Sequence, residues 1–458
     1  MSSLQIALDF PAVHGKDVVA QFDGGDVTSD AGLLLLKEVD DRLGLTRAIF
    51  EGIEDKRQQS KVVHPLEEMI RARVYAICQG YPDCNDMDAL RFDPGLLVSC
   101  GVLPSRRALP SQPTLSRLDN MPTAKELRQM RVDLTRAILR DVPKETRGVI
   151  IEIDGTDSAC HGAQELALFN GYYDKRCYVP LLVHLVEPSG RRRLLMVVLR
   201  PGRAGAAKGA TGILREAFKL VRERLGKRVE IVVRADSGFG SAKVINFLVS
   251  EKVYFVLGLP ANNVVTGLAE RVHMRAAVQY WFKGNGLRVF DSFQYAAKTW
   301  GQEHRVVVKV EITQGELNPR YVVTNMKHLT PQAIYEFYCE RGDQENGIKE
   351  FKLDLAGDTT SCHDYLANQF RVFLHTAAYA LMEGTRGLLA GTDWSKLQAG
   401  TLRLRLFKVS ARVVESHRKI WFHLPTSYPY QAYWQHIVKK LRGLGRSGSV
   451  APVCATTG

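Results

Sequence analysis

The chain has 458 residues, 45% hydrophobic and 24% charged, which is enough apolar material for roughly two to four folded domains and excludes a disordered chain. Lys and Arg (62) outnumber Asp and Glu (49), and the net charge of +13 points to a polyanionic partner, nucleic acid ahead of an anionic membrane. No stretch is long and apolar enough to span a bilayer, and the start MSSLQIALDFPAVHGKD lacks a basic segment followed by an apolar one. The expected location is therefore the cytoplasm, with the nucleoid. Eight scattered cysteines without a C-x-x-C pair read as reduced structural thiols.

From about residue 30 to 140 the pattern is helical. SDAGLLLLKEVDDRLGL opens on a capping residue, and HPLEEMIRARVYAICQGY and TAKELRQMRVDLTRAILRDV space their apolar residues at helical period. Between them SQPTLSRLDN resembles the start of a recognition helix, with Arg117 able to reach phosphates or bases, although it equally suits a capped helix in a bundle. The predicted helical N-terminal domain, a DNA-binding one, covers residues 1–145.

After the polar break DVPKETRG the period changes, and the predicted order is β-β-β-α-β-α-β: VIIEID, YVPLLVHLVE, RRLLMVVLRPG, TGILREAFKLVRERLG, EIVVRAD, AKVINFLVSEKV and YFVLGL. Uninterrupted runs such as VIIEI read as buried central strands of an α/β sheet with a parallel component. Residues 260–330 break this rhythm with strand-like pieces and read as an inserted β-rich subdomain. The α/β core is then expected over 146–259 and 331–385. Residues 386–458 form a basic C-terminal region in which Arg403, Lys408, Arg412 and Arg446 interleave with Trp421, Tyr428, Tyr433 and Trp434, a composition suited to DNA backbone.

The most charged stretch is YCERGDQENGIKEFK, residues 338 to 352. At helical spacing Tyr338, Arg341, Glu345, Lys349 and Lys352 fall within roughly 80° of arc, while Glu340, Asp343 and Glu350 face elsewhere. Glu345 is thus one acid among bases. Gly342 and Gly347 weaken a continuous helix, at about 1 kcal/mol each relative to Ala. Two other acids end predicted strands: Asp154 closes VIIEID before Gly155, and Asp236 closes EIVVRAD before SGFG. Carboxyl ends of strands are where α/β sheets build sites, although Asp before Gly is also a common turn signal. Three carboxylates from two strand ends and a helix supply hard oxygen ligands to Mg²⁺, and two such ions act together in phosphodiester cleavage. The glycine-rich GRAGAAKGATG lacks the G-K-[ST] order of a phosphate-binding loop and reads as a flexible lead into a helix.

Tyr338, Arg341, Glu345 and Lys352 in the spacing Y-x2-R-x3-E-x6-K, after Asp154 in IDGTD and Asp236 in ADSGF, resemble the bacterial insertion-sequence DDE transposases with the YREK signature. FDGGDVTSDAGLLLLKEVD, HGAQELALFNGYYDKRCYVPL and SQPTLSRLDN resemble more narrowly the insertion-sequence family thirteen-eighty. The resemblance implies a ribonuclease-H-like (retroviral-integrase-like) α/β core with Asp154, Asp236 and Glu345 as the catalytic triad. This triad would bind two Mg²⁺ ions, or Mn²⁺. It implies DNA contacts by Tyr338, Arg341, Lys349 and Lys352, and base stacking by Trp300, which core burial in the subdomain would explain equally. The implied activity is cleavage of double-stranded DNA at terminal inverted repeats and joining of 3′-OH ends to target DNA, by a homodimer that holds two ends. The alternatives are a non-transposing nuclease of the same fold and a non-catalytic sequence-specific DNA-binding protein.

Overall fold

The computed structural model describes residues 7–284 and 287–443; Arg446 and Cys454 lie outside them. Two compact units emerge, residues 1–121 with 377–458, and residues 122–376. This division differs from the expected one in joining the two ends of the chain. In the first unit, strand Ala411–Glu415 pairs with both Val27–Thr28 and Ile420–His423, and Ala31, Val409 and Ala411 share a buried cluster. The helices expected in the N-terminal half form at Leu33–Leu43, Leu66–Cys78 and Gln112–Asp119. Much of the C-terminal polar chemistry is internal: Lys408 pairs with Asp30 at 2.7 Å, Arg403 donates to the Cys78 carbonyl at 2.7 Å, and Trp434 donates to the Leu406 carbonyl. Among the described residues no helix is long and apolar enough to cross a membrane.

The second unit begins with α1 (Ala124–Leu139), held at its start by a Thr123–Glu126 capping box. Sequence periodicity assigns this helix to the N-terminal domain, but its polar side chains bind here: Arg131 pairs with Glu216 at 2.7 Å and Thr135 donates to the Leu195 carbonyl. Then follow β1 (Gly148–Gly155), β2 (Leu181–Val186), β3 (Arg192–Val198), α2 (Ala210–Leu225), β4 (Glu230–Ala235), α3 (Ala242–Ser250) and β5 (Tyr254–Leu259). This is the order read from the sequence, except that three short strands, Ser158–Ala159, Leu168–Asn170 and Lys175–Tyr178, intervene between β1 and β2 and pair in a small sheet of their own. Further on come β6 (Arg288–Tyr295), β7 (His304–Thr313), β8 (Glu316–Thr324), α4 (Pro331–Cys339) and α5 (Gly342–Leu353).

One eight-stranded sheet has the order β6-β7-β8-β5-β4-β1-β2-β3, with β1, β4 and β5 parallel and the remaining pairings antiparallel. The stretch 260–330, expected to be a separate β-rich subdomain, instead opens with two helices, Asn263–Leu268 and Glu270–Lys283, and its strands extend this sheet. β5 would otherwise be an edge with unpaired backbone groups, and β8 covers it in the register Val256↔Thr324 to Leu259↔Tyr321. Strand alternation sends Ile151, Ile153, Val233 and Ala235 to one face, where all four are buried. Glu152, Asp154 and Arg234 take the other.

The stretch 338–352 is not one helix. α4 ends at Cys339 and α5 starts at Gly342. Arg234 Nη1 donates to the Phe337 carbonyl at 2.5 Å, and the Arg341 N–H bonds instead to the Tyr338 carbonyl three residues back. An outside donor takes a carbonyl near the end of α4, and Gly342 adds little helical propensity with which to continue across the gap.

Candidate active site

β1 and β4 are parallel neighbours in the register Glu152↔Arg234 and Ile153↔Ala235, so Asp154 and Asp236 leave adjacent strands at the same end of the sheet. Asp154 Oδ1 accepts from the Gly155 N–H (2.8 Å), and Asp236 Oδ1 accepts from the Gly238 N–H (2.9 Å) at the start of a short helical turn. That turn needs bare backbone beside it. A Cβ on Gly258 of β5 would lie 2.7 Å from the Ser237 nitrogen and 2.7 Å from the Tyr338 hydroxyl.

Arg341 joins the helical and sheet parts of the site. Its Nη1 donates to Asp154 Oδ2 at 3.2 Å and its Nη2 lies 3.7 Å from Glu345. Burial, then the Asp236 charge, pushes the Asp154 carboxyl up to about 6; Glu345 adds to the rise and Arg341 opposes it. Burial also works against the Arg341 charge, but the field of Asp154, Tyr338, Asp236 and Glu345 outweighs it and raises its pKa. Asp154, Asp236, Arg341 and Glu345 line one cleft of about 890 Å³, together with Lys349, Lys352, Arg200, Asn170, Tyr172 and Tyr173.

The sequence-derived candidates are distributed unevenly around that cleft. Asp154, Asp236, Arg341, Glu345, Lys349 and Lys352 all line it. Lys349 is exposed, with no hydrogen-bond or ion-pair partner among the described residues. Lys352 is engaged: Nζ donates to the Asp157 backbone carbonyl (2.9 Å) and to Asp157 Oδ1 (3.0 Å), pinning the segment after β1. Tyr338 lies outside the lining and packs against the buried cluster of Val256, Val307, Val322 and Ile334. Trp300 lies outside the cleft lining, with its ring 5.1 Å from Tyr295 and 5.6 Å from His304. Arg117, in the first unit, is exposed and donates to Thr114 at 3.2 Å.

Sequence reading missed the layer beneath. Glu152 and Arg234, each two residues before an aspartate, are directly opposite in the sheet and almost wholly buried, with Arg234 Nη2 2.6 Å from Glu152 Oε1. Arg192 of β3 closes on the same carboxylate at 2.9 Å. Arg234 also reaches Glu340 (3.0 Å), and Arg192 approaches Asp343 (3.7 Å). This cluster grips the break between α4 and α5, and so sets where Arg341 and Glu345 stand. The available signal was one charge inside each apolar strand, of opposite sign at equal offset from Asp154 and Asp236.

The donor set suits a hard divalent cation: carboxylate oxygens, and a pKa rise in Asp154 caused partly by its acidic neighbours. As the side chains stand, no three His, Cys, Asp or Glu residues among those described are grouped closely enough to hold an ion. Arg341 occupies Asp154, and the Glu345 side chain is 55% exposed. Comparison of the sequence with curated proteins gave no match. The model of the family described as transposase DDE domain group 1 matches residues 10–446, nearly the whole length, and the chain belongs to that family.

Proposed function

We propose that this DDE transposase binds the terminal inverted repeats of its element, cleaves DNA there with two divalent metal ions, Mg²⁺ or Mn²⁺, and joins the 3′-OH ends to target DNA. Family membership makes it an enzyme of nucleotidyl transfer acting on DNA, and DDE transposases generally use divalent metal ions. The observation that carries the finer reading is the convergence of Asp154, Asp236 and Glu345 on one cleft with Arg341 among them. Strand order β3-β2-β1-β4-β5, with β2 antiparallel to its neighbours, supports a ribonuclease-H-like core. The spacing of Tyr338, Arg341, Glu345 and Lys352 supports the YREK signature and the likeness to insertion-sequence family thirteen-eighty.

In this reading Asp154, Asp236 and Glu345 hold the metal. Bound divalent ions supply an activated water or hydroxyl and stabilise the leaving oxygen. Arg341, which here offsets the carboxylates, takes a phosphate oxygen, and Lys349 holds the backbone nearby. Lys352 orders the segment after Asp154. Tyr338 fixes the Ser237 turn and with it Asp236. A homodimer holds two ends together.

The test is Mg²⁺-dependent cleavage of a duplex carrying the gene's own flanking DNA, comparing wild type with Glu345→Gln under conditions where both bind. Cutting at a defined end by wild type alone is expected, and joining of that end to a second duplex separates transposition from simple nuclease action. Equal cutting by both proteins would remove Glu345 from the site.

A further inference from the structure

Beside the acids, the cleft has a second wall that catalysis by carboxylates does not need. It is built on Asn170, at the end of the strand Leu168–Asn170. Asn170 Oδ1 accepts from the backbone N–H groups of Tyr172 (3.0 Å) and Tyr173 (3.2 Å), and its Nδ2 donates to the Gly202 carbonyl at 2.6 Å. Gly202 is seated directly on the hairpin, since a Cβ there would lie 2.3 Å from the carbonyl oxygens of both Leu168 and Cys177. The glycine-rich segment that follows is tied down by Arg200. Its Nη1 donates to the carbonyls of Gly205 (3.0 Å), Ala206 (2.9 Å) and Lys208 (2.9 Å), and its Nε to that of Val179 (2.8 Å).

Two features of this fastened wall stand out. Tyr172 is 88% exposed although the turn that carries it is held by side-chain hydrogen bonds, so a held backbone presents an exposed aromatic ring at the cleft, in edge contact with Tyr173 at 4.9 Å. Arg200 is 6% exposed and its Nη2 has no hydrogen-bond partner among the described residues, although it lies only 3.5 Å from where a side chain on Gly155, next to Asp154, would begin. A buried guanidinium N–H without an acceptor costs free energy unless something supplies one. An aromatic face serves any base, and a buried cation serves the sugar–phosphate oxygens.

We propose that the Asn170–Tyr173 turn and Arg200 form a nucleotide subsite beside the carboxylates: Tyr172 stacks on the base adjoining the scissile phosphodiester, and Arg200 Nη2 provides the donor for that nucleotide's backbone. The subsite rests on the reading of the cleft as a DNA-cleaving site and adds a sequence-tolerant grip on one nucleotide. It accounts for the exposed ring, for the orphan donor and for the fastening of the glycine-rich segment, which is not a phosphate loop.

The test uses the full chain carrying Glu345→Gln, which separates binding from cutting, and duplexes of the gene's flanking DNA with 2-aminopurine placed in turn at each position around the end. One position should change in fluorescence on binding. Adding Tyr172→Ala should abolish that change and weaken binding roughly tenfold, while Tyr172→Trp should keep both. Unchanged fluorescence and affinity in Tyr172→Ala at every position would overturn the subsite and leave the transposase reading standing. If the Glu345→Gln protein bound none of these duplexes while remaining folded, that reading would fall, and the subsite with it.

Discussion

Asp154 sits where burial and two acidic neighbours oppose its ionisation, and this gives a signed pH effect. Its carboxyl is pushed up from 3.8 to about 6 in the folded chain. Between those values the folded protein holds a proton that the unfolded chain has released. Stability from this group is therefore complete below about pH 3.8 and is lost as pH rises to about 6, by about 3 kcal/mol. In metal-free protein, urea midpoints of wild type and Asp154→Asn should diverge over that interval, with wild type becoming the less stable. Parallel midpoints would mean that Asp154 is not held protonated. The two lysines at the cleft should also separate. Lys349 has no partner among the described residues, so Lys349→Ala should lower the salt slope of DNA binding by about one, whereas Lys352, already bound to Asp157, should change the slope less and stability more. Titrating binding against salt for both variants decides the matter.

Among elements, the gap between α4 and α5 and the strands beneath it form one mechanical unit. Arg234→Ala leaves the buried Glu152 with Arg192 as its remaining ion-pair partner and should cost about 3 to 5 kcal/mol in unfolding measurements. Replacing both Glu152 and Arg234 by Met removes the charges together and should recover much of that loss. Glu340 and the Phe337 carbonyl nevertheless lose their anchor, so the Mg²⁺ dependence of cleavage should move to higher concentration. A double variant with normal stability and an unshifted Mg²⁺ profile would confine the cluster to a structural role. Gly258→Ala acts on the same assembly from the other side: a methyl group 2.7 Å from both Ser237 and Tyr338 should displace the Asp236 turn and reduce cleavage more than fold stability.

At the level of the whole chain, the two ends share a folding unit. Val409 and Ala411 lie in the cluster with Ala31, and Ala411 pairs with Thr28. Removing residues 409–443 should therefore loosen the helices between Leu33 and Asp119, seen as faster amide exchange there, beyond any effect on DNA affinity. Period and composition alone determined the α/β order from β1 to β5, because buried parallel strands are continuous apolar runs and their connecting helices repeat at 3.6 residues. They also placed Asp154 and Asp236 at strand ends and made Glu345 conspicuous among bases. Tertiary structure decided the rest, for reasons that a linear pattern does not carry. β8 pairs with β5 because an unpaired edge is costly, so strands expected to stand apart joined the sheet. The stretch 338–352 broke into two helices because Arg234, a hundred residues earlier in the chain, takes a helix carbonyl. Lys352 turned to Asp157, and the Tyr172 turn came to line the same cleft as the acids, through contacts between segments far apart in sequence. Local spacing fixes which residues share a face; only the folded sheet fixes what that face meets.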